Sequence, residues 1–348
     1  MKKKVLIVDD TPINRDLLVS MLQSEGYELL EAESAEEARR VIEEHDPDLV
    51  LLDVLMPEVD GFTFCKEIKK NTQDRFLPVI LVTALNDRES RIHGLDCGAD
   101  DFLSKPVDRL ELLIKVRNML KIRELNESLI SEMVFAGQVQ ENLFFANNQL
   151  GPKDCMHYQP CCRVGGDFLE VWEDGGARWA VMADATGHGP SAALIAAASK
   201  ALLERNSKSP KDLLTKLNLK LCNLLEPCEA AYYVTAICLK IEHDQLTYAN
   251  AGHPPAYLKD VQGIKSLTSQ AIPLGIRKNV TYDEQKLDFI APGLLFTYSD
   301  GLLDVAGEKE IMTLLQDIKE PAETCQRFIS LLKVRATKDD VSFLALTL

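Results

Sequence analysis

The feature that most constrains the fold is an alternation of short apolar runs with amphipathic segments over residues 1–120. The runs KVLIV, DLVLLD and PVILVTA are almost continuously apolar, as expected of strands that are buried on both faces of a sheet. Between them lie segments with helical periodicity, such as 34–44, where Ser34 is a predicted N-cap and Glu37 follows three residues later. The alternation predicts a doubly wound α/β domain with a five-stranded parallel sheet.

Polar residues follow the predicted strands at one edge of this sheet. They are Asp9 and Asp10 after the first strand, Asp53 at the third, Thr83 at the fourth, and Ser104-Lys105-Pro106 after the fifth. Any one of these is explained by strand ends being polar, but converging carboxylates repel one another and usually hold a hard divalent cation. Lys105 and Thr83 add a charge and a hydroxyl that suit a phosphoryl group on Asp53.

Residues 1–120 closely resemble the response-regulator receiver domain, through VLIVDD, LLDVLMPEVDG, VTA and ADDFLSKP. The resemblance implies that Asp53 accepts phosphate from a histidine kinase or a phosphotransfer protein, and that Thr83 and Lys105 contact this phosphate. Phe102 matches the position of the aromatic switch residue, which is also compatible with a plain core phenylalanine. The implied Mg²⁺ ligands are Asp9, Asp10, Asp53 and the backbone carbonyl of Leu55.

A long helical pattern follows, from 108 to about 148, without proline and with Gly137 as its single glycine. Its apolar residues recur mostly three or four positions apart. A helix of some 40 residues is about 60 Å long, too long to lie over one small domain. We therefore expect a helical linker at 121–150, which either packs locally as a spacer or forms a coiled coil in a homodimer.

The chain changes character after Gly151-Pro152, where short β-like runs alternate irregularly with helical stretches. The predicted strands are 177–184, 230–241, 245–252, 293–300 and 341–348, and the predicted helices are 191–205, 210–225 and 307–333. Such an order predicts an α+β domain over 151–348.

Acidic residues stand at strand ends or tight turns of this second domain. They are Asp167 in RVGGDFLE, Asp184 in MADATGHG, Asp300 in TYSDG, and Asp339 and Asp340 in TKDDVSF. A carboxylate beside a buried strand is costly to desolvate unless it is paired or binds a cation. Brought together, these acids would form an oxygen-rich site for Mg²⁺ or Mn²⁺, and two such ions can activate a water against a phosphoryl group.

His188 lies between two glycines in the same motif as Asp184. D-A-T-G differs from the D-T-G of aspartic proteases, and G-H-G lacks the spacing of a dinucleotide fingerprint. Zinc binding would need partners, and the sequence shows no second histidine at helical spacing and no C-x-x-C pair. The sequence is compatible with two interpretations of His188: a residue of the turn, or a secondary role near the phosphate.

Six motifs, in the order VGGDF, ADATGHG, NAGHPP, PLGI, SDGLLD and DDVSF, resemble the metal-dependent (PPM-type) serine/threonine phosphatases of the stage II sporulation protein E branch. AGQVQENLF, in the preceding helix, resembles the regulatory helix of that branch. The resemblance implies an α-β-β-α sandwich with two Mn²⁺ or Mg²⁺ ions between the sheets.

The same resemblance implies roles for single residues. Asp184 would bridge the two ions, supported by the Ala185 carbonyl. The other implied ligands are Asp300, Asp339 and Asp167, with Asp340 as an alternate to Asp339. Glu170 replaces an aspartate that is frequent in the family and keeps its charge, so we expect activity to survive. Arg163 is the candidate phosphate-clamping arginine.

Together the two resemblances imply a two-component response regulator whose output is a phosphoserine/phosphothreonine protein phosphatase, controlled by Asp53. Its implied substrate is a phosphorylated anti-sigma-factor antagonist in a partner-switching pathway. The alternative is a non-catalytic adaptor that binds a sigma or anti-sigma factor through a degenerate phosphatase domain. The acids of the predicted metal site are intact, which favours the enzyme.

Charge and cysteine content exclude other classes of partner. Residues 1–120 carry 16 Lys+Arg and 25 Asp+Glu, a net −9, which leaves −6 of the total −15 for the rest. No basic cluster offers a nucleic-acid footprint, and no apolar run has the length of a signal peptide core or a membrane span. The nine cysteines show no paired metal spacing, so we expect reduced thiols in a cytoplasmic protein.

Overall fold

The computed structural model describes residues 2–72, 75–84, 97–146, 148–226, 232–268, 270–318, 321–335 and 337–348. The chain forms two compact units, Met1–Glu132 and Met133–Leu348. In the described part of the chain, no helix is long and apolar enough to cross a membrane.

The first unit contains a five-stranded parallel sheet in the order β2-β1-β3-β4-β5, which confirms the predicted α/β fold. Its strands are β1 Lys4–Val8, β2 Glu28–Ala32, β3 Leu49–Asp53, β4 Val79–Thr83 and β5 Asp101–Ser104. Its helices are α1 Pro12–Leu22, α2 Ala35–His45, α3 Gly61–Asn71 and the first part of α4 Arg109–Phe145, with a 3₁₀ turn at Gln23–Glu25. Ser34 caps α2 as predicted, since its hydroxyl accepts a hydrogen bond from the Glu37 N–H.

Alternate residues of the central strands point to opposite faces of this sheet, and both faces are buried. Leu6, Val50 and Leu81 pack in one core with side chains of α2 and α3. Val5, Leu51 and Ile80 pack in the other core with side chains of α1 and of the first turns of α4. Burial on both faces explains why these strands are continuously apolar.

Helix α4 continues without a break for 37 residues, and the division between the units falls within it. In the first unit it buries Leu112, Val116 and Leu120. In the second unit it buries Gln140 and Phe144. The helical pattern read from the sequence is therefore confirmed as one continuous element.

The second unit contains two five-stranded sheets with antiparallel pairing, in the orders β13-β10-β9-β8-β7 and β12-β11-β14-β15-β6. The strands are β6 Cys155–Gln159, β7 Asp167–Asp174, β8 Ala177–Ala185, β9 Val234–Glu242, β10 Gln245–Ala251, β11 Ala256–Asp260, β12 Gly263–Leu267, β13 Gln285–Asp288, β14 Leu294–Tyr298 and β15 Val341–Thr347. The helices are α5 Pro190–Leu202, α6 Pro210–Leu225, α7 Gly301–Val305, α8 Glu308–Asp317 and α9 Pro321–Leu332.

The two sheets pack face to face through a shared core that includes Leu169, Met182, Leu295 and Leu344. Helices α5 and α6 cover the outer face of one sheet, and α7, α8 and α9 cover the outer face of the other. This arrangement confirms the α-β-β-α sandwich. The stretch 307–333, predicted as helical, contains two helices, α8 and α9, rather than one.

The expectation that the cysteines are reduced thiols is wrong for two of them. Cys155 on β6 and Cys325 on α9 form a disulfide, with their Cα atoms 6.1 Å apart. The two residues are 170 positions apart in sequence, so nothing in their spacing indicated that the fold brings them together.

Candidate functional site

The first unit brings its predicted site residues to one edge of the parallel sheet. Asp9 follows β1, and Asp53, Thr83 and Ser104 are the last residues of β3, β4 and β5. Carboxylate oxygens of Asp9, Asp10 and Asp53 all lie within 4.8 Å of one another. The carboxyl edge of a parallel sheet thus collects three acids, as the sequence predicted.

Lys105 compensates part of this negative charge. Its ammonium donates hydrogen bonds to Asp53 (Nζ–Oδ1 2.7 Å) and to Asp9 (Nζ–Oδ2 2.9 Å). Burial raises the pKa of Asp53, and the hydrogen bond from Lys105 opposes that rise. Burial works to lower the pKa of Lys105, but its bonds to Asp53 and Asp9 outweigh this and raise it. The lysine is therefore a cation held against both carboxylates.

The other residues predicted for this site lie around the same edge. Thr83 is buried, Asp10 is partly buried, and Leu55 is exposed two residues after β3. Phe102 on β5 is partly buried, and the Lys115 ammonium lies 5.2 Å from the centre of its ring. Phe102 therefore lies at the boundary between core and solvent rather than deep in the core.

In the second unit the predicted acids come from both sheets. Asp167 begins β7 and lies opposite Asp184 of β8 in the strand register. Both point to the side of the sheet that faces the second sheet, since they alternate with Phe168 and Ala183 of the outer core. Asp300 follows β14, and Asp339 and Asp340 precede β15.

Asp167 is the most unusual of these acids. It is 1 % exposed, and neither of its carboxylate oxygens has a hydrogen-bond partner among the described residues. Burial, followed by the charge of Asp184, raises its pKa. Nearby Ser342 and Ser299 oppose the shift, although neither makes a well-aligned hydrogen bond to it. A buried carboxylate without partners fits a position that a cation occupies.

The pKa values of Asp184 and Asp300 are raised by the same causes, burial and neighbouring acids. Burial, together with the charges of Asp300 and Asp339, raises the pKa of Asp184 to about 8. Asp300 is exposed as a residue, yet partial burial of its carboxylate and then the charge of Asp339 raise its pKa as well. These acids repel one another and form no ion pair with a basic residue in the part of the chain that the structure describes, which is the electrostatic signature of a divalent-cation site.

The neighbouring acids Asp339 and Asp340 differ in what they bind. Asp340 is 2 % exposed, and its two oxygens accept hydrogen bonds from the backbone N–H groups of Cys161 and Gly166, at 2.8 and 2.6 Å. Asp339 is half-buried and accepts one bond, from the Asp340 N–H. Asp339 therefore has the more available carboxylate of the two.

The two glycines of VGGDF allow the backbone to approach the acids closely. A Cβ atom on Gly165 would lie 2.6 Å from an Asp340 oxygen, and one on Gly166 would lie 2.7 Å from the Ala185 carbonyl oxygen. Both approaches are far inside van der Waals contact. Larger residues here would displace Asp340 and the Ala185 carbonyl, which is the carbonyl singled out from the sequence.

Glu170 does not join the acid cluster. It lies on the opposite face of β7 from Asp167, where it is 2 % exposed and forms ion pairs with Lys200 (3.3 Å) and Arg205. Arg163 is exposed in the loop before β7. His188 is exposed in the turn before α5, with its Nδ1 4.0 Å from the Sγ of Cys162.

Sequence reasoning missed Gln140 of α4. Its side chain is 7 % exposed and forms two hydrogen bonds with the backbone of Gly165, donating to the carbonyl (2.8 Å) and accepting from the N–H (3.1 Å). Tyr158 donates a third bond to it, at 3.3 Å. The motif AGQVQENLF was noted, but a glutamine on a helix gives no signal of its own that it will be buried.

Comparisons with known proteins agree with both halves of this description. Residues 5–117 match the response regulator receiver domain, and residues 174–348 match "Stage II sporulation protein E (SpoIIE)". The receiver half is 42 % identical over 123 residues to the response regulator PleD of Caulobacter vibrioides. The matched segment covers 35 % of this chain and 27 % of PleD. It is also 42 % identical over 123 residues to the probable transcriptional regulator ycf27 of Cyanophora paradoxa. That matched segment covers 35 % of this chain and 50 % of the relative.

These curated relatives therefore share only the receiver half, and the chain spans half of their length or less. For the second unit, the solved SiaA-PP2C domain of Pseudomonas aeruginosa has a TM-score of 0.57 with 20 % sequence identity, covering 64 % of this chain and 98 % of that domain. At this identity the likeness concerns the fold. The chain carries a receiver domain and, since the second family model spans half of it, belongs to the SpoIIE family.

Proposed function

We propose that this protein is a response regulator whose output is a metal-dependent phosphoserine/phosphothreonine protein phosphatase. The observation that carries the proposal is Asp167, a buried carboxylate whose oxygens have no hydrogen-bond partner among the described residues, next to Asp184 and within the field of Asp340. A protein has little reason to bury such a group unless a cation neutralises it. Family membership indicates the phosphatase class of the chemistry.

The acids of the second unit fit two Mn²⁺ or Mg²⁺ ions, because they offer oxygen ligands of the kind that hard cations prefer. The ligands we assign are Asp184 as the bridge, the Ala185 carbonyl, Asp300, Asp339 and Asp167. Bound there, such ions would neutralise the acids, lower the pKa of a water and polarise a phosphoryl oxygen.

The protein's own groups prepare this site. Asp340 was predicted as an alternate ligand to Asp339, but its bonds to the Cys161 and Gly166 N–H groups give it a positioning role for the loop before β7. Gln140 holds the same loop through Gly165. The exposed side of Asp300 leaves the cluster open to a phosphorylated side chain from solvent.

In the receiver domain we assign Asp53 as the phosphoacceptor. One of its oxygens would attack the phosphorus of a phosphohistidine in a kinase or phosphotransfer protein, forming an O–P bond as the P–N bond breaks and the imidazole leaves and takes up a proton. Asp9, Asp10, Asp53 and the Leu55 carbonyl fit a Mg²⁺, which would screen the charge between the carboxylate and the phosphoryl group. Thr83 and Lys105 contact the phosphate, and Phe102 is the switch residue.

The remaining assignments concern domains and partners. We propose a receiver domain at 1–120, a helical linker at 121–150 and a phosphatase domain at 151–348. The substrate is a phosphorylated anti-sigma-factor antagonist, as the family resemblance implies. Exposed apolar side chains on α4 support a homodimer through that helix; they are Ile122, Leu125, Leu129, Phe135, Val139 and Leu143.

The activity is tested with the full chain and two substrates, p-nitrophenyl phosphate and a phosphoserine protein, with and without Mn²⁺. We expect Mn²⁺-dependent phosphate release that Asp184→Asn lowers by more than about 100-fold, because a bridging ligand is lost. Asp174→Asn, an exposed acid at the other end of the β7–β8 hairpin, is the matched control and should keep the wild-type rate. Undiminished turnover by Asp184→Asn would refute the assignment.

A further inference from the structure

Three sulfur and nitrogen donors meet beside the acid cluster. Cys161 and Cys162 lie in the loop between β6 and β7, and His188 lies in the turn between β8 and α5. The Cys161 and Cys162 Sγ atoms are 3.7 Å apart, and the Cys162 Sγ is 4.0 Å from the His188 Nδ1. All three donor atoms lie within 4.8 Å of one another. Adjacent cysteines and a lone histidine give no metal-binding spacing in sequence, so only the fold reveals the group.

These distances fit a tetrahedral zinc ion. With Zn–S bonds of about 2.3 Å, two thiolates on one ion lie about 3.8 Å apart, close to the separation of the two Sγ atoms. A thiolate and an imidazole nitrogen on the same ion lie about 3.6 Å apart, so the Cys162 Sγ and the His188 Nδ1 need to approach by only a few tenths of an ångström. Cys162 and His188 are exposed, so the ion can enter from solvent.

The donor chemistry separates this group from the acids. Thiolate and imidazole ligands select zinc and similar ions, whereas carboxylate and carbonyl oxygens select magnesium and manganese. The Cys161 Sγ nevertheless also lies within 4.8 Å of carboxylate oxygens of Asp339 and Asp340. Both oxygens of Asp340 bind backbone N–H groups, so Asp339, which lies close to Cys161, is the acid that can turn towards the ion as a fourth ligand.

We propose that Cys161, Cys162 and His188 form a zinc-binding site at the rim of the carboxylate cluster, and that zinc bound there inhibits the enzyme by drawing Asp339 away from the catalytic ions. The binding step stands on the three donors alone. The inhibition rests on the proposed phosphatase function. On binding, each thiol loses its proton to solvent and forms a Zn–S bond, and no oxidant or reductant is needed.

Binding is tested on the full chain, kept under argon and without a reductant, so that the Cys155–Cys325 disulfide stays closed and adds no further thiols. Cd²⁺, a spectroscopic substitute for zinc, should produce a thiolate-to-metal charge-transfer absorption that saturates at one equivalent. Cys162→Ser should lower that absorption by about half and weaken zinc binding, measured against a chromophoric chelator, by at least about tenfold. His188→Ala should weaken zinc binding while keeping the absorption. Cys222→Ser, on α6, is the control and should behave as wild type.

Inhibition is tested by adding Zn²⁺ to the Mn²⁺-activated enzyme. The wild type should lose activity at one zinc equivalent. Cys162→Ser should have the wild-type Mn²⁺-dependent rate and should not be inhibited at that zinc concentration. A cadmium absorption that is absent, or unchanged in Cys162→Ser, would overturn the site. Equal zinc inhibition of wild type and Cys162→Ser would overturn the proposal that zinc at this site inhibits the enzyme through Asp339. A cadmium signal in a protein without phosphatase activity would refute the proposed function and leave the zinc site standing.

Discussion

At the scale of single residues, the second unit stores unfavourable electrostatic energy in its acids. The pKa values of Asp167, Asp184 and Asp300 are all raised, and in each case burial is the largest cause. In an unfolded chain an aspartate has a pKa of about 3.9. Without a cation, the folded protein therefore binds more protons than the unfolded chain between about pH 4 and about pH 8, so its free energy of unfolding falls as pH rises through that window.

Asp184→Asn removes one of these charges. In the presence of a chelator at pH 8, we expect the variant to be more stable than the wild type by about 1–3 kcal/mol, a range that allows for the penalty being shared among several acids. The difference should shrink towards pH 4, where the wild-type acids are protonated. Saturating Mn²⁺ should reverse the order, because only the wild type binds it fully. Urea unfolding from pH 4 to pH 8 measures this.

The control for that measurement is Asp174→Asn, which should follow the wild type at every pH because Asp174 is exposed. A metal-free wild type that gains stability from pH 4 to pH 8 in parallel with Asp184→Asn would contradict the electrostatic account.

The sequence was sufficient to identify the acids, but it did not show which of them form hydrogen bonds with the backbone. Strand-end acids can be read directly from apolar runs that stop at aspartate, as at Asp184. What separates Asp339 from Asp340 is that the backbone N–H groups of Cys161 and Gly166 point at the latter. Those groups are more than 170 residues away in sequence, so only the tertiary fold identifies the partner.

At the scale of elements, α4 is the element that both units share. Its later turns meet the catalytic unit at two points. Gly137 lies so close to the Arg163 carbonyl that a Cβ there would be 2.4 Å from the oxygen, and Gln140 binds both backbone groups of Gly165. Both contacts reach the loop that leads into Asp167. The position of α4 is thereby linked to the position of a proposed metal ligand.

Gln140→Ala tests that link. We expect it to lower the free energy of unfolding by about 1–3 kcal/mol, because the Gly165 N–H and carbonyl lose a buried partner. It should also weaken Mn²⁺ activation by about tenfold or more, since the loop before Asp167 loses its support. Gln138→Ala is the matched control, with the same change two residues away at an exposed position of the same helix. Equal Mn²⁺ activation of the two variants would contradict the positioning role.

Many elements with a strong local pattern were predicted, but not all of them. Apolar runs and helical periodicity predicted β1, β3, β4, β8, β9, β10, β14 and β15 and the length of α4, whereas the largely buried strands β7 and β11 were missed. Strands β6 and β12 are mostly half-exposed edge strands and carry no comparable run. Their strand conformation depends on pairing with β15 and β11, which local sequence does not report.

At the scale of the whole molecule, the exposed apolar side chains of α4 bear on assembly. Leu129 is 62 % exposed and Leu125 is 54 % exposed, which is costly for a helix that stays single. We expect the full chain to dimerise and Leu129→Glu to weaken the dimer at least about tenfold by placing a charge in the apolar contact. Sedimentation equilibrium measures this, with Ser128→Glu, the same charge at the next position, as control. A monomeric wild type would contradict the dimer.

The proposed control of the phosphatase by phosphorylation of Asp53 is tested by comparing phosphate release with and without beryllofluoride, which mimics the phosphoryl group. The full chain is assayed with Mg²⁺ and Mn²⁺ on a phosphoserine protein. Beryllofluoride should change the wild-type rate by about fivefold or more. The rate of Asp53→Asn should stay the same, which also excludes a direct effect on the catalytic ions. Equal wild-type rates with and without saturating beryllofluoride would contradict control of the phosphatase by the receiver domain.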